Sequence, residues 1–297
     1  MKRLFLPSLL ILVACDNAKP QSRAPKKTAP DQHVQAVLAS KSSPIKMYAL
    51  ECGRIEMLDL GLFDKGGAYD GRTNSAVDTC YLIRHPKGDL LWDTGLPDAL
   101  HAQKDGITNG PFHISVPNTL SGQLKDLGVT PADIEFLSIS HSHFDHVGNA
   151  GQYAGSTFIV NKTERAYMFR DEAKSDAQTF PAYSALETAK TVNFTGSYDV
   201  FGDGRVLIID TPGHTPGHAI LQLELKNTGT VLLTGDLYHL REAREKRTIP
   251  VFNTDADQTL ASMDKFEAIA KDKNAKVIIQ HSAEDFDTLP KPPEYLD

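Results

Sequence analysis

Ile134-Glu135-Phe136-Leu137-Ser138-Ile139-Ser140 runs without a break into His141-Ser142-His143-Phe144-Asp145-His146. The first stretch reads as a buried strand, and the second carries four side chains able to bind a metal ion. In extended chain, residues two apart point the same way, so His141 and His143 can converge on one ion. Asp145 and His146 come after the strand ends and can turn toward a second. Histidine and carboxylate are ligands of Zn2+ and similar borderline metals. A polar surface turn is the plain alternative, but Gly148, Asn149 and Gly151 just beyond create no need for three histidines.

Working outward, the same junction recurs. Val206-Leu207-Ile208-Ile209-Asp210 leads into Thr211-Pro212-Gly213-His214-Thr215-Pro216-Gly217-His218. Leu232-Leu233-Thr234-Gly235 leads to Asp236, and Val277-Ile278-Ile279-Gln280 to His281. A lone histidine after a strand is usually structural. Four strand ends that each deliver His or Asp point to one site on a sheet edge, where open sheets build their sites. Further strands are expected at Lys46–Glu51, Asp78–Arg84, Asp89–Asp93, Thr157–Val160, Ala219–Leu225 and Thr230–Leu233. Helices are expected over Leu120–Leu127, Thr163–Arg170 and Asp255–Lys271. Signals between Asp171 and Gly196 are weak. Strands fall into two groups, each followed by helices, so the chain reads as α/β with two packed sheets under helices.

These motifs resemble the metallo-β-lactamase-fold hydrolases. Within them the chain is most similar to the N-acyl-homoserine lactone lactonases, through Trp92–Asp98, Ser140–Ala150, the run from Asp210 to Leu225, and Val231–His239. The resemblance implies an αββα four-layer sandwich with two divalent metal ions, Zn2+ by default, with Fe, Mn or Co as alternatives. His141, His143 and His214 would hold the first ion, Asp145, His146 and His281 the second, and Asp236 would bridge them. His218 would pack or hydrogen-bond rather than ligate. Asp93 resembles the family carboxylate that orients a ligand histidine. The implied chemistry is attack of a hydroxide shared by two cations on the lactone carbonyl, with Asp145 shuttling the proton. It would yield the ring-opened N-acyl-homoserine, a quorum-sensing signal destroyed.

One departure concerns substrate contact. The family pattern has a Tyr three residues after the bridging Asp; here that position is His239, with Tyr238 one earlier. Both are candidates for the catalytic hydrogen-bond donor. The long segment from His101 to Thr119 is expected to be functional, with Phe112, Ile114 and Val116 as contacts for an acyl chain or as ordinary packing residues. Cys52 and Cys80 read by default as two buried thiols, with a disulfide as the alternative. Rival readings are another hydrolase of this fold (β-lactamase, thioesterase or phosphodiesterase) and a non-catalytic metal-binding lipoprotein. The oligomeric state stays open, a homodimer included.

The amino-terminal segment is of another kind. Met1-Lys2-Arg3 is basic, Leu4–Val13 is apolar, and Leu12-Val13-Ala14-Cys15 resembles the lipobox of bacterial lipoproteins. This implies a signal peptide over 1–14, lipid attachment at Cys15 and a periplasmic, membrane-anchored protein. Residues 15–45 read as a Pro-, Lys- and Ser-rich tether, leaving 46–297 as the hydrolase domain. The net charge of −7 for 297 residues divides into about +6 before residue 47 and about −13 after it. A body that acidic repels phosphate, which argues against nucleic acid as a partner and for a small-molecule substrate.

Overall fold

A computed structural model of the chain describes residues 44–297. The expected signal peptide, Cys15 and nearly all of the tether lie outside the described residues. Ile45, assigned to the tether, is already buried in the core.

Eight strands form the first sheet: β1 (Lys46–Met57), β2 (Asn74–His85), β3 (Gly88–Trp92), β4 (Ile107–Asn109), β5 (Phe112–Ser115), β6 (Ile134–Ser138), β7 (Thr157–Asn161) and β8 (Thr191–Phe194). Their spatial order is β4-β5-β1-β2-β3-β6-β7-β8. Five more form the second sheet: β9 (Ser197–Asp199), β10 (Val206–Asp210), β11 (Ala219–Leu225), β12 (Gly229–Leu233) and β13 (Lys276–Ile278), in the order β13-β12-β11-β10-β9. β3, β6, β7 and β8 run parallel, as do β12 and β13; the remaining pairs are antiparallel.

Alternation along the strands builds the layers. Met47 and Ala49 of β1 face the second sheet, where they join Val77, Tyr81, Trp92, Ile208, Leu221 and Leu233 in the central core. Tyr48, Leu50 and Cys52 face outward onto α1 (Leu120–Asp126) and α3 (Lys162–Met168), the latter reached after the short α2 (Phe144–Val147). The second sheet is covered on its outer face by the longest helix. Its residues Met263 and Phe266 bury against Ile209, Ile220 and Leu232, each contributing roughly 1.5–3 kcal/mol. Helix over sheet over sheet over helix is the four-layer α/β arrangement expected.

Several local expectations change. The stretch between Asp171 and Gly196 resolves into α4 (Asp171–Lys174), α5 (Phe180–Tyr183) and β8, too short to leave a periodic signal. α6 (Arg241–Lys246) precedes that longest helix, α7 (Ala256–Asp272), and α8 (Ala283–Asp287) follows β13. The segment from His101 to Thr119 is not irregular throughout: β4 and β5 make a hairpin that extends β1 at the sheet edge. β1 continues to Met57 past a register shift at Glu51–Gly53, with Ile55 and Met57 inward and Arg54 and Glu56 outward. Cys80 pairs with Leu50 in the register, and Cys52 is the residue passed over at the shift. The two cysteines form a disulfide, Cα atoms 5.8 Å apart, and not the two thiols of the default reading.

Candidate active site

Every candidate ligand leaves the carboxyl end of a strand. β6 delivers His141, His143, Asp145 and His146; β10 delivers His214; β12 delivers Asp236; β13 delivers His281. Because both sheets present these ends together, the seven side chains meet. His141 Nε2, His143 Nδ1 and His214 Nε2 lie 2.9–3.1 Å from one another. Asp236 Oδ2 sits 3.4 Å from His214 Nε2 and 3.6 Å from His141 Nε2. Its other oxygen, Oδ1, is 3.0 Å from His281 Nε2 and 3.3 Å from His146 Nε2. Asp145 closes the second group, 3.6 Å from His281 Nε2. Thus Asp236 faces both groups with different oxygens.

Donor chemistry tests whether metal ions fit. Nitrogen ligands about 2.0–2.1 Å from a tetrahedral ion lie roughly 3.3 Å apart, close to the spacing of the first triad. His146 Nε2, His281 Nε2 and Asp236 Oδ1 are buried without an aligned hydrogen-bond partner. Such orphaned atoms are costly unless something else pairs them, and a cation between them does so. Burial and mutual repulsion hold His141 and His143 well below the ordinary imidazole range, keeping them in the neutral, ligating form. Burial also pushes His281 down, but the Asp236 carboxylate overrides it and lifts the imidazole to about 9. The field at that end favours positive charge.

The far nitrogens of His214, His281 and His146 are fixed from behind. His214 Nδ1 donates to Asn253 Oδ1 (2.8 Å) and His281 Nδ1 to the Val77 carbonyl (3.0 Å). His146 Nδ1 donates to Asp93 Oδ2 (3.1 Å), while Asp93 Oδ1 accepts the Ser140 amide (2.7 Å). Asp93 does this with φ of 58°, a left-handed conformation that Asp tolerates better than most residues. Each bond sets a tautomer that leaves the other nitrogen facing the site. His218 lies behind Asp236, its Nε2 accepting the Asp236 amide and its Nδ1 donating to Thr211 O. It supports the loop and does not face either group, as expected.

The two candidates for substrate contact separate. Tyr238 is in extended conformation, so it and His239 point opposite ways. Tyr238 packs on Phe266 and donates its hydroxyl to Glu267 (3.0 Å), away from the site. Its assignment as a catalytic residue is therefore corrected. His239 does reach the site, with Nε2 3.1 Å from Asp236 Oδ2.

A cavity of about 390 Å³ opens onto the ligands, with His143, Asp145, Asp236, His239 and His281 on one side. Its other walls include Ile55, Met57, Phe63, Phe112, Phe144 and Phe252. A second cavity of about 790 Å³ adjoins it across Pro111, Phe112 and Phe144. Of the three residues expected to touch an acyl chain, Phe112 lines both spaces and Ile114 only the second. Val116 lines neither and is a core residue, its carbonyl accepting His101 Nδ1. Phe63, Phe252, Asn253 and Glu164 also belong to this neighbourhood, although nothing local in the sequence singles them out. Their only signal is tertiary.

The pattern of the metallo-beta-lactamase superfamily matches residues 77–281. The chain is 30% identical to the N-acyl homoserine lactonase AttM of Rhizobium radiobacter over 224 residues, 72% of this chain and 85% of that one. It is 29% identical to an N-acyl homoserine lactonase of Bacillus thuringiensis over 260 residues, covering 84% and 98%. Among solved structures it is similar to an N-acyl homoserine lactone hydrolase with the product N-hexanoyl-L-homoserine at its catalytic metal centre. That similarity has a TM-score of 0.72 and 28% identity, over 85% of this chain and 99% of that one. A match that begins in β2 and ends on His281 takes in all seven residues of the His/Asp cluster, and the chain belongs to the metallo-beta-lactamase superfamily.

Proposed function

We propose that the chain is a metal-dependent hydrolase that opens the lactone ring of N-acyl homoserine lactones, and so degrades a quorum-sensing signal. One observation carries the reading: an apolar cavity that ends directly on a cluster of five histidines and two carboxylates. That shape suits a ligand with a hydrolysable ester at one end and a hydrocarbon tail at the other. The named lactonases among its relatives support it.

His141, His143 and His214 would hold one divalent ion, Asp145, His146 and His281 a second, with Asp236 shared and Zn2+ the expected metal. When bound, such ions lower the pKa of water toward about 7 and polarise a carbonyl oxygen. The chain's own residues do the rest. Phe112, Phe63 and Phe252 hold the tail and keep bulk water from the ester. Asp145 lines the cavity beside His281 and is placed to carry a proton to the departing ring oxygen. His239, on the cavity wall where the family pattern has Tyr, presents its imidazole to the substrate head.

The test is proton release by protein loaded with two metals per chain, on N-hexanoyl-homoserine lactone, a thioester and a cephalosporin. Lactone turnover well above the other two is expected. No lactone turnover by the fully loaded protein would sink the reading.

We propose further that the domain lies outside the cytoplasm, tethered through lipid at Cys15. The leader sequence supports this, and so does the Cys52–Cys80 disulfide, which suits an oxidising compartment. Labelling with a radioactive fatty acid should be lost in Cys15→Ser; label retained there would refute lipid attachment at this cysteine.

A further inference from the structure

Glu164 is a carboxylate with no place in the chemistry above. It sits in the first turn of α3, only 1% exposed. Isolated, such a charge would be expensive to bury. Here four donors converge on it. Oε1 accepts the Ser142 amide (2.9 Å) and the Ser142 hydroxyl (2.7 Å). Oε2 accepts the Thr215 hydroxyl (2.7 Å) and the Gly217 amide (3.0 Å). Ser142 stands between His141 and His143. Thr215 and Gly217 stand in the loop that carries His214. So one oxygen grips each of the two loops that supply the first histidine triad.

Glycine at 217 fits this grip. A Cβ there would lie 2.2 Å from the Glu164 amide nitrogen and 2.8 Å from Asn161 Oδ1. The His214 loop is thus drawn down onto the start of α3 as closely as a backbone can come. The second group is joined by a different carboxylate: Asp93 Oδ2 faces His146 Nδ1 (3.1 Å) and the side-chain amide of Gln280 (3.2 Å), the residue before His281, whose own ring is set by the Val77 carbonyl.

We propose that Glu164 is a positioning residue that sets the spacing of His141, His143 and His214, and thereby the affinity of the first metal site alone. This rests on the two-metal reading of the cluster. Glutamine at 164 keeps one acceptor oxygen and puts an amide donor against the other loop, so half the grip is lost while the helix and side-chain volume remain. Positioning partners of this kind are typically worth 10–100-fold in metal affinity.

The experiment is Zn2+ titration of the metal-stripped full chain against a chromophoric chelator. His214→Ala and His281→Ala serve as references for loss of the first and second site, and the visible spectrum of the Co2+-substituted protein is a second readout. Wild type should bind two Zn2+. Glu164→Gln should lose 10–100-fold at the site removed by His214→Ala, leave the other unchanged, and alter the matching Co2+ bands. Thr215→Val, which removes one donor and keeps the carboxylate, should give a smaller loss at the same site. It decides the matter if Glu164→Gln does not fold. Equal weakening of both sites, or wild-type binding by folded Glu164→Gln or by Thr215→Val, would overturn the proposal. A wild-type chain that binds no Zn2+ would overturn the two-metal reading beneath it, a result the variants cannot mimic.

Discussion

Asp93→Asn offers the sharpest check on how the second group of ligands is held. Asparagine tolerates the left-handed backbone at this position and nearly reproduces the shape of aspartate. What changes is the count of acceptors. Asp93 Oδ1 takes the Ser140 amide at 2.7 Å, and Oδ2 faces His146 Nδ1 at 3.1 Å and Gln280 Nε2 at 3.2 Å. An amide has one oxygen for these two sides. If the oxygen stays with Ser140, the new NH2 confronts two donors. His146 then relieves the conflict by moving its proton to Nε2, the nitrogen that faces Asp236. If the oxygen turns to His146, the buried Ser140 amide loses its acceptor, at a cost of about 1–3 kcal/mol. The first arrangement removes a ligand lone pair; the second shifts the strand end whose loop carries His146 along with His141. Either should weaken the second metal ion by 10–100-fold, equivalent to about 1.4–2.7 kcal/mol. Chelator-competition titration with Zn2+ measures this directly, and saturating Zn2+ should recover part of kcat on a lactone. A variant with two wild-type affinities and wild-type kcat would refute the orienting role of Asp93.

Other outcomes follow from the same geometry. Phe112→Ala joins the two adjacent cavities, so KM should fall for long acyl chains relative to short ones by several-fold; an unchanged chain-length profile would remove Phe112 from the substrate path. Tyr238→Phe should leave kcat within twofold and cost about 1 kcal/mol of stability through its lost bond to Glu267, whereas His239→Ala should lower kcat or raise KM; the reverse pattern would undo the assignment. The Cys52–Cys80 disulfide has a sequence separation of 28, so the double Ser variant should lose about 3–4 kcal/mol by loop entropy, read by urea denaturation, and a loss under 1 kcal/mol would count against it. Far from the metals, burial holds His85 below its ordinary value, with Nδ1 accepting the Lys87 amide and Nε2 donating to Asp203. A depressed folded pKa means that its stability contribution is present above about 6.5 and lost as pH falls. Wild type should therefore lose stability between pH 7 and 5 by an increment missing in His85→Gln, and an imidazole that titrates at or above 6.5 by NMR would contradict this.

How much of this was legible in the chain depends on range. Strand ends that deliver ligands are local events: an apolar run, then His or Asp. So β6, β10, β12 and β13 and all seven metal-facing residues stand out from sequence. Even His218 could be set aside, because only the first His of its run matches the family pattern. The hairpin β4–β5 stayed hidden because its strands are three and four residues long and owe their existence to pairing with β1. The continuation of β1 was masked by Cys52-Gly53, where the register shifts. Tyr238 and His239 were indistinguishable in sequence, since one extended residue decides which of them faces the site. Glu164 and Asn253 reach their partners across 22 to 53 residues of chain, a separation no local pattern encodes.

The ligand set and the cavity answer different questions. Five histidines and two carboxylates at this spacing suit hydrolysis of many bonds, whether ester, thioester, phosphodiester or lactam. Selection among them falls to the walls. Among the described residues lining the inner cavity there is no Lys or Arg, and the charged groups present are the acids and histidines of the cluster. The carboxylate of a β-lactam, which lies away from the bond being broken, would meet no cationic side chain on these walls, and burying an unpaired charge is costly. A neutral ester with a hydrocarbon tail brings no such charge. It gains instead from contact with Ile55, Met57, Phe63, Phe112 and Phe252, at roughly 0.8 kcal/mol for each CH2 buried. The adjoining larger cavity extends that gain to longer tails only if Phe112 or Phe144 swings aside. Chain length should therefore be graded by the aromatic pair, whose ring centroids lie 6.0 Å apart, and not by the metal ligands beneath it.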